Sequence, residues 1–302
     1  MTRPIVVGVG RIGVSLSALA HRVPEASSGD AGELAAVAVS PGTGVAVAVR
    51  TAAVFGCQAR LAGWVGADGL SALGRATLTQ AGIDAELLRA SPGGSRVEIV
   101  TVDPHGGRLI QRAAGDELDL EALPIDLPTA LAGAGALLLD DSLPRAQVAA
   151  AREARSRGIP VIVDLTAPVE GSSELVAFAD VLITSERMLA ELAPRRDLIG
   201  ALGELVRLGP RAVVVTLGAA GAVGRHGGEV VEVPGFPIDT IDSTGAGSVF
   251  HGAFVAGLLG ELPFARCIEL AAAAAGLSCQ ALGAWDGVPT RDDAMKLAQS
   301  RR

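Results

Sequence analysis

The chain has 302 residues, of which 49% are hydrophobic and 19% charged, and its formal net charge is -8. That length suits one large α/β domain or one domain with a small appendage, and the composition is that of a folded globular protein rather than a disordered one. The acidic balance, the absence of tyrosine and an aromatic share of 3% argue against a nucleic-acid surface, whether a basic patch or a base-stacking platform.

In chain order, Ile5 to Val9 read as a first strand, an apolar run ending in glycine. The N-terminus lacks a basic stretch followed by a long apolar one, and no apolar run reaches the ~18 residues of a membrane span. A soluble, cytoplasmic protein without a membrane partner is therefore expected. Residues 42–56 suit a small-residue helix packed closely on a sheet. A strand at 59–66 and an amphipathic helix ending at Gly82 follow. Residues 84–115 alternate in polarity, and "RVEIVTVD" and "GRLIQR" around "PHGG" form a hairpin pattern that suggests a small β appendage.

The βα rhythm then resumes. Strands are expected at 135–140, 160–164, 180–184 and 212–218. Helices are expected at 144–158 and 172–179, from Glu186, and over Leu198–Leu208. Continuous Val/Ile/Leu strands alternating with helices indicate a mostly parallel sheet covered on both faces, with ligands at the strands' carboxyl ends. Cys57, Cys267 and Cys279 lie in apolar stretches without metal-ligand spacing and read as free thiols. The four scattered histidines suggest no structural zinc site.

The segment with most chemistry is "IDSTGAGSVFHGAFVAGLLG", Ile241–Gly260. Gly245, Ala246 and Gly247 open an apolar helix, so their amides are placed to attract an anion. The segment is not a Walker P-loop, because no Lys-Ser/Thr follows the turn.

This segment is similar to the Asp-Thr-Thr-Gly-Ala-Gly-Asp signature of the ribokinase-like (PfkB) carbohydrate kinase family. Asp242, Thr244, Gly245, Ala246, Gly247 and the following "VFHGAF" match. "VVVTLGAAGAV", "WVGADGLSALGRATLTQAGID", "GIPVIVDLTAP" and "AAAAAGLSCQALGAWDGVPT" resemble further family segments, in the family's order across nearly the whole chain. The resemblance implies a single ribokinase-like α/β domain over 1–302, with a lid from segments near 12–20, 35–40 and 95–115. It implies ATP-dependent phosphoryl transfer to a sugar-like hydroxyl, with Mg2+ on the phosphates. Gly245, Ala246 and Gly247 would form the anion hole, and Thr216, Gly218, Gly221 and Thr244 would line the nucleotide site.

The resemblance also places departures. Ser248 falls where the family keeps its catalytic aspartate, and a serine hydroxyl has no useful basicity near pH 7. His251, one helical turn on, is a substitute base to be weighed. The family's sugar contacts fall at Ser15, Gly42, Thr43 and Val47, and Val47 offers no hydrogen bond. Asp242 and Asp140, with Asp141 beside it, are further substrate candidates, and loop acids or a helix N-cap are the plainer reading of Asp140 and Asp141. In the Asn-Glu segment near magnesium, Ser185 replaces Asn and Glu186 remains as the metal candidate. Three readings stay open: a weak or atypical kinase, a non-catalytic nucleotide- or sugar-binding pseudokinase, and a structural relic. Lids of this family often pair between subunits, which leaves a homodimer as an open alternative.

Overall fold

A computed structural model describes residues 3–23, 33–42, 44–113, 115, 124–194 and 197–301. The first half of the chain comprises β1 (Ile5–Arg11), β2 (Val14–Ala20), β3 (Leu34–Ser40), α1 (Val45–Val54), β4 (Gln58–Val65), α2 (Gly69–Gln80), β5 (Asp84–Ala90), β6 (Val97–Val102) and β7 (Arg108–Ala113). The middle comprises α3 (Leu127–Ala130), β8 (Ala134–Leu139), α4 (Pro144–Ser156), β9 (Val161–Leu165), α5 (Ser172–Phe178), β10 (Val181–Ser185), α6 (Glu186–Leu192) and α7 (Leu198–Arg207). The rest comprises β11 (Ala212–Thr216), β12 (Gly221–His226), β13 (Glu229–Pro234), α8 (Ala246–Leu259), α9 (Phe264–Ser278) and α10 (Arg291–Gln299).

Nine strands form one sheet in the order β13-β12-β11-β10-β9-β8-β1-β4-β5. Neighbours from β11 to β5 pair in parallel, and the β11–β12 and β12–β13 pairs at the other edge are antiparallel. The strand period of two sends alternate residues to opposite faces. Val6 joins the core under α1, α8 and α9, whereas Val7 and Val9 join the core under α4, α5 and α7. This is the ribokinase-like α/β fold, a mostly parallel sheet flanked by helices.

A second sheet of four strands, in the order β3-β2-β6-β7, stands apart from the first. It exposes Leu34, Val37 and Val39 on β3, Ile99 on β6 and Leu109 on β7. The alternation over 84–90 suggested that this segment belonged to the appendage. Instead β5 pairs with β4 as an edge of the large sheet. An edge strand buries little of either face, and β5 fully buries only Leu88, so its pattern looks like that of a free hairpin.

α8 is apolar on all sides because it is enclosed. Every residue from Ser248 to Gly257 is buried. No helix among the described residues is long and apolar enough to cross a membrane. All three cysteines are free. Cys57 and Cys267 are buried, Cys279 is half-buried, and burial pushes the Cys267 thiol up to about 12.

Candidate functional site

Five strands of the large sheet deliver residues to one edge. β1 ends at Arg11, β8 leads into Asp140, β9 carries Asp164, β10 ends at Ser185, and β11 ends at Thr216. This is the carboxyl edge, where open α/β sheets bind ligands. The loop into α8 crosses it. Asp242, 2% exposed, accepts hydrogen bonds from Thr244 N at 2.9 Å, Thr244 Oγ1 at 2.6 Å and Gly283 N at 2.9 Å. Both of its oxygens are thus occupied in bracing the loop, so Asp242 is a strut rather than a substrate contact.

Gly245 takes φ 75°, the left-handed region, at the N-cap of α8, and no side chain of the described residues caps the helix. The Ala246 amide donates weakly to the Ser243 carbonyl at 3.3 Å, and the Gly247 and Ser248 amides that follow have no backbone or side-chain acceptor among the described residues and can meet an anion. Two clefts meet at this point. The first, of about 440 Å³, is walled by Gly42, Asp140, Asp164, Thr244, Gly245 and Ser248. The second, of about 760 Å³, is walled by Thr216, Gly218, Gly221, Ala246 and Phe250, among others. Gly247 belongs to both walls. The second cleft is largely apolar, with Ile238, Ala272, Ala275 and Gly276 on its sides, and Cys279 also faces it.

Asp140 is held from several directions. Its Oδ2 accepts from Val45 N at 2.9 Å, and its Oδ1 accepts from Ser142 Oγ at 2.5 Å and Gln147 Nε2 at 2.8 Å. The amide before Val45 belongs to Gly44 and donates to Ser248 Oγ at 3.0 Å. Asp140 and Ser248 thus sit on consecutive amides at the start of α1. Asp141 accepts at Oδ2 from Thr166 N, Thr166 Oγ1 and Ala167 N at 3.0, 2.6 and 3.0 Å. Burial, followed by the nearby Asp141 and Asp140, drives the Asp164 carboxyl well above the usual carboxylate range.

The other expected residues lie elsewhere. Ser15 is buried in β2, opposite Ser40 of β3, and its hydroxyl has no partner among the described residues. Val47 is fully buried inside α1, because a helix wedged between the sheet and α8 turns this residue to the core. Glu186 is exposed at the start of α6 and lines neither cleft, while Ser185 caps that helix by accepting from Met188 N at 3.3 Å. Thr43 lies outside the described residues. Thr244, expected at the nucleotide, lines the first cleft instead. The arginines of that cleft have no counterpart in the motifs.

His251 does not face the cleft. It is 1% exposed, its Nε2 has no partner among the described residues, and burial lowers its pKa to about 3. A neutral imidazole this hard to protonate is no base at pH 7. It does mark a pH dependence. The unfolded chain takes up this proton near pH 6.5 and the folded chain only near 3, so stability is complete above about 6.5 and falls as pH drops towards 3. The expected slope is at most about 1.4 kcal/mol per pH unit from this group. Urea midpoints at pH 7, 6, 5 and 4 should fall less steeply in His251→Leu. Parallel curves would contradict the assignment.

A helix N-terminus between two clefts at the carboxyl edge of an α/β sheet is a place where backbone amides can meet an anionic ligand. The sequence profile of the pfkB family carbohydrate kinase matches residues 12–291, and the chain belongs to that family. It is 26% identical over 282 residues to ribokinase of Lactococcus lactis, covering 93% of this chain and 92% of that one. It is 30% identical over 294 residues to the ATP-dependent ribose-1-phosphate kinase of Halopiger xanaduensis, covering 95% of each. Arabidopsis thaliana ribokinase, solved in complex with ribose and ATP, superposes with a TM-score of 0.80 at 24% identity, covering 99% of each chain.

Proposed function

We propose that this PfkB-type carbohydrate kinase binds ATP in the second cleft and an acceptor in the first, with weak or atypical phosphoryl transfer between them. The observation that carries the reading is the shared wall at Gly247, where two clefts meet at one helix N-terminus. The apolar sides of the second cleft, including Phe250, Ile238 and Ala275, suit a nucleobase. The amides of Gly245, Ala246 and Gly247 would accept the charge that develops on the transferring group. Among the described residues no three metal-ligating side chains cluster, so a magnesium ion carried by the nucleotide phosphates fits better than a protein-built cage. That ion supplies charge neutralisation. The four-stranded sheet, with Val14, Arg96, Glu98, Arg108 and Arg112 in the wall of the first cleft, serves as the lid.

In the transfer, the bond from the γ-phosphorus to its bridging oxygen would break with its electron pair left on ADP, the acceptor oxygen would bond to phosphorus, and the hydroxyl proton would pass to water. We read Ser248 as standing where the family keeps the aspartate that takes this proton. Its Oγ already accepts from Gly44 N and carries no negative charge. Turnover then rests on positioning and on the anion hole, without the ~10²–10⁴-fold that a general base contributes. The competing reading is a pseudokinase that binds nucleotide without turning over.

Two outcomes are expected for steady-state phosphorylation of ribose, fructose and nucleosides. The natural protein is very slow, and Ser248→Asp gains less than about tenfold, because the new carboxylate is not matched by the family's sugar contacts at Ser15 and Val47. A thousandfold gain on one neutral sugar would show that the acceptor side was intact. Brisk turnover by the unmodified chain would show that another group takes the proton.

A further inference from the structure

Five of the chain's 25 basic residues converge on the first cleft: Arg11, Arg96, Arg108, Arg112 and Arg187. This is unexpected in a protein of net charge -8. They arrive from separate elements. Arg11 ends β1, Arg96 precedes β6, Arg108 and Arg112 lie on β7, and Arg187 is on α6. Arg108 and Arg112 are four residues apart on one strand, so they share a face.

Among the described residues, only one of Arg96, Arg108, Arg112 and Arg187 forms an internal ion pair. Arg112 pairs with Glu98 at 2.5 Å. Arg108 donates to neutral hydroxyls, to Thr244 Oγ1 at 3.0 Å and Ser243 Oγ at 3.4 Å. Arg96 and Arg187 have no ion-pair partner among the described residues. The cleft's carboxyl groups, Glu98, Asp140, Asp141 and Asp164, are fewer than its guanidinium groups. Asp140 and Asp141 already receive several hydrogen bonds each.

Arg96 sits on braced backbone. Its carbonyl accepts from Val14 N at 2.8 Å. The preceding Ser95 is tied to Asp68 by its amide at 2.7 Å and its hydroxyl at 2.6 Å. The Arg96 backbone is thus fixed at the cleft wall, and its half-buried guanidinium, which has no ion-pair partner among the described residues, is placed to meet a ligand anion.

We infer that the acceptor bound in the first cleft is itself anionic, a sugar carrying a phosphate ester or a carboxylate, gripped by Arg96 and the neighbouring arginines. This rests on the reading of that cleft as the acceptor side. A neutral sugar would leave Arg96 and Arg187 without a charged partner, whereas an anion gains charge-assisted, bidentate hydrogen bonds. The same positive wall would draw an anionic acceptor towards the cleft despite the acidic chain.

The test is calorimetric titration of the whole protein without nucleotide, using ribose 5-phosphate, fructose 6-phosphate and gluconate against ribose and fructose. ADP with Mg2+ is titrated separately. At least one anionic compound should bind ten times or more tightly than its neutral counterpart. Arg96→Gln should weaken that binding tenfold or more, Arg96→Lys should recover part of the loss, and ADP affinity should change less than twofold in both. Binding of the phosphate esters alone identifies a phosphorylated acceptor, and binding of gluconate alone a sugar acid. Equal binding of neutral sugars, no binding of any anionic compound, or no effect of Arg96→Gln would overturn the inference. Failure of ADP to bind would instead sink the kinase reading, because the anion titrations are made without nucleotide.

Discussion

Gly252→Val is expected to be the most damaging single substitution in the enclosed helix. A Cβ at this position would lie 2.1 Å from the carbonyl oxygen of Ala48 and 2.7 Å from Thr51 Cβ. The obstacle is the backbone of α1, which is itself pressed against the large sheet, so neither helix has room to withdraw. Overpacking of a core costs roughly 1–3 kcal/mol and occasionally more, and contact with fixed backbone places this site at or above that range. Urea unfolding should show a much lower midpoint or no folded baseline. Gly247→Ala is the control, because a Cβ there meets nothing within 4 Å. A valine variant that unfolds with the wild type would show that α1 and α8 pack less closely than described.

Gly245→Val should have the largest effect on chemistry. The residue combines φ 75° with a Cβ that would lie 2.1 Å from Ala284 Cβ. Left-handed backbone costs a β-branched residue about 1–3 kcal/mol, and relief by shifting Ala284 would disturb Gly283, whose amide braces Asp242. Either response moves the amides that open α8. Misplacing one such donor costs on the order of 10²–10³ in rate. Transfer to the fastest acceptor found should fall by at least that factor, and ATP should bind tenfold more weakly. Unchanged transfer would mean that these amides do not contact the phosphates.

The parallel strands and the opening of α8 are legible in sequence because each leaves a local mark. Runs such as "PVIVD" have no polar face, and Gly245 and Gly247 stand before an apolar helix. β5 is hard to place from sequence because an edge strand and a free hairpin share a pattern, and only its pairing with β4 puts it in the large sheet. The motif makes Asp242 a substrate candidate because it gives residue identity but not direction, and only the bonds to Thr244 and Gly283 show where its oxygens point. The arginine wall left no mark. Its members are spread from residue 11 to residue 187, and each alone looks like a solvated surface charge. The fold assembles them where the four-stranded sheet and the carboxyl edge of the large sheet line one cleft.

On the reading proposed above, the second cleft holds a nucleotide with its phosphates at the start of α8. Calorimetric titration of ADP and Mg2+ into the whole protein tests it most directly. The expected result is saturable one-to-one binding within millimolar nucleotide, lost in Ala275→Trp, whose ring would fill that cleft. A folded, unmodified protein that gives no binding signal over that range, or an Ala275→Trp variant that binds ADP undiminished, would contradict it.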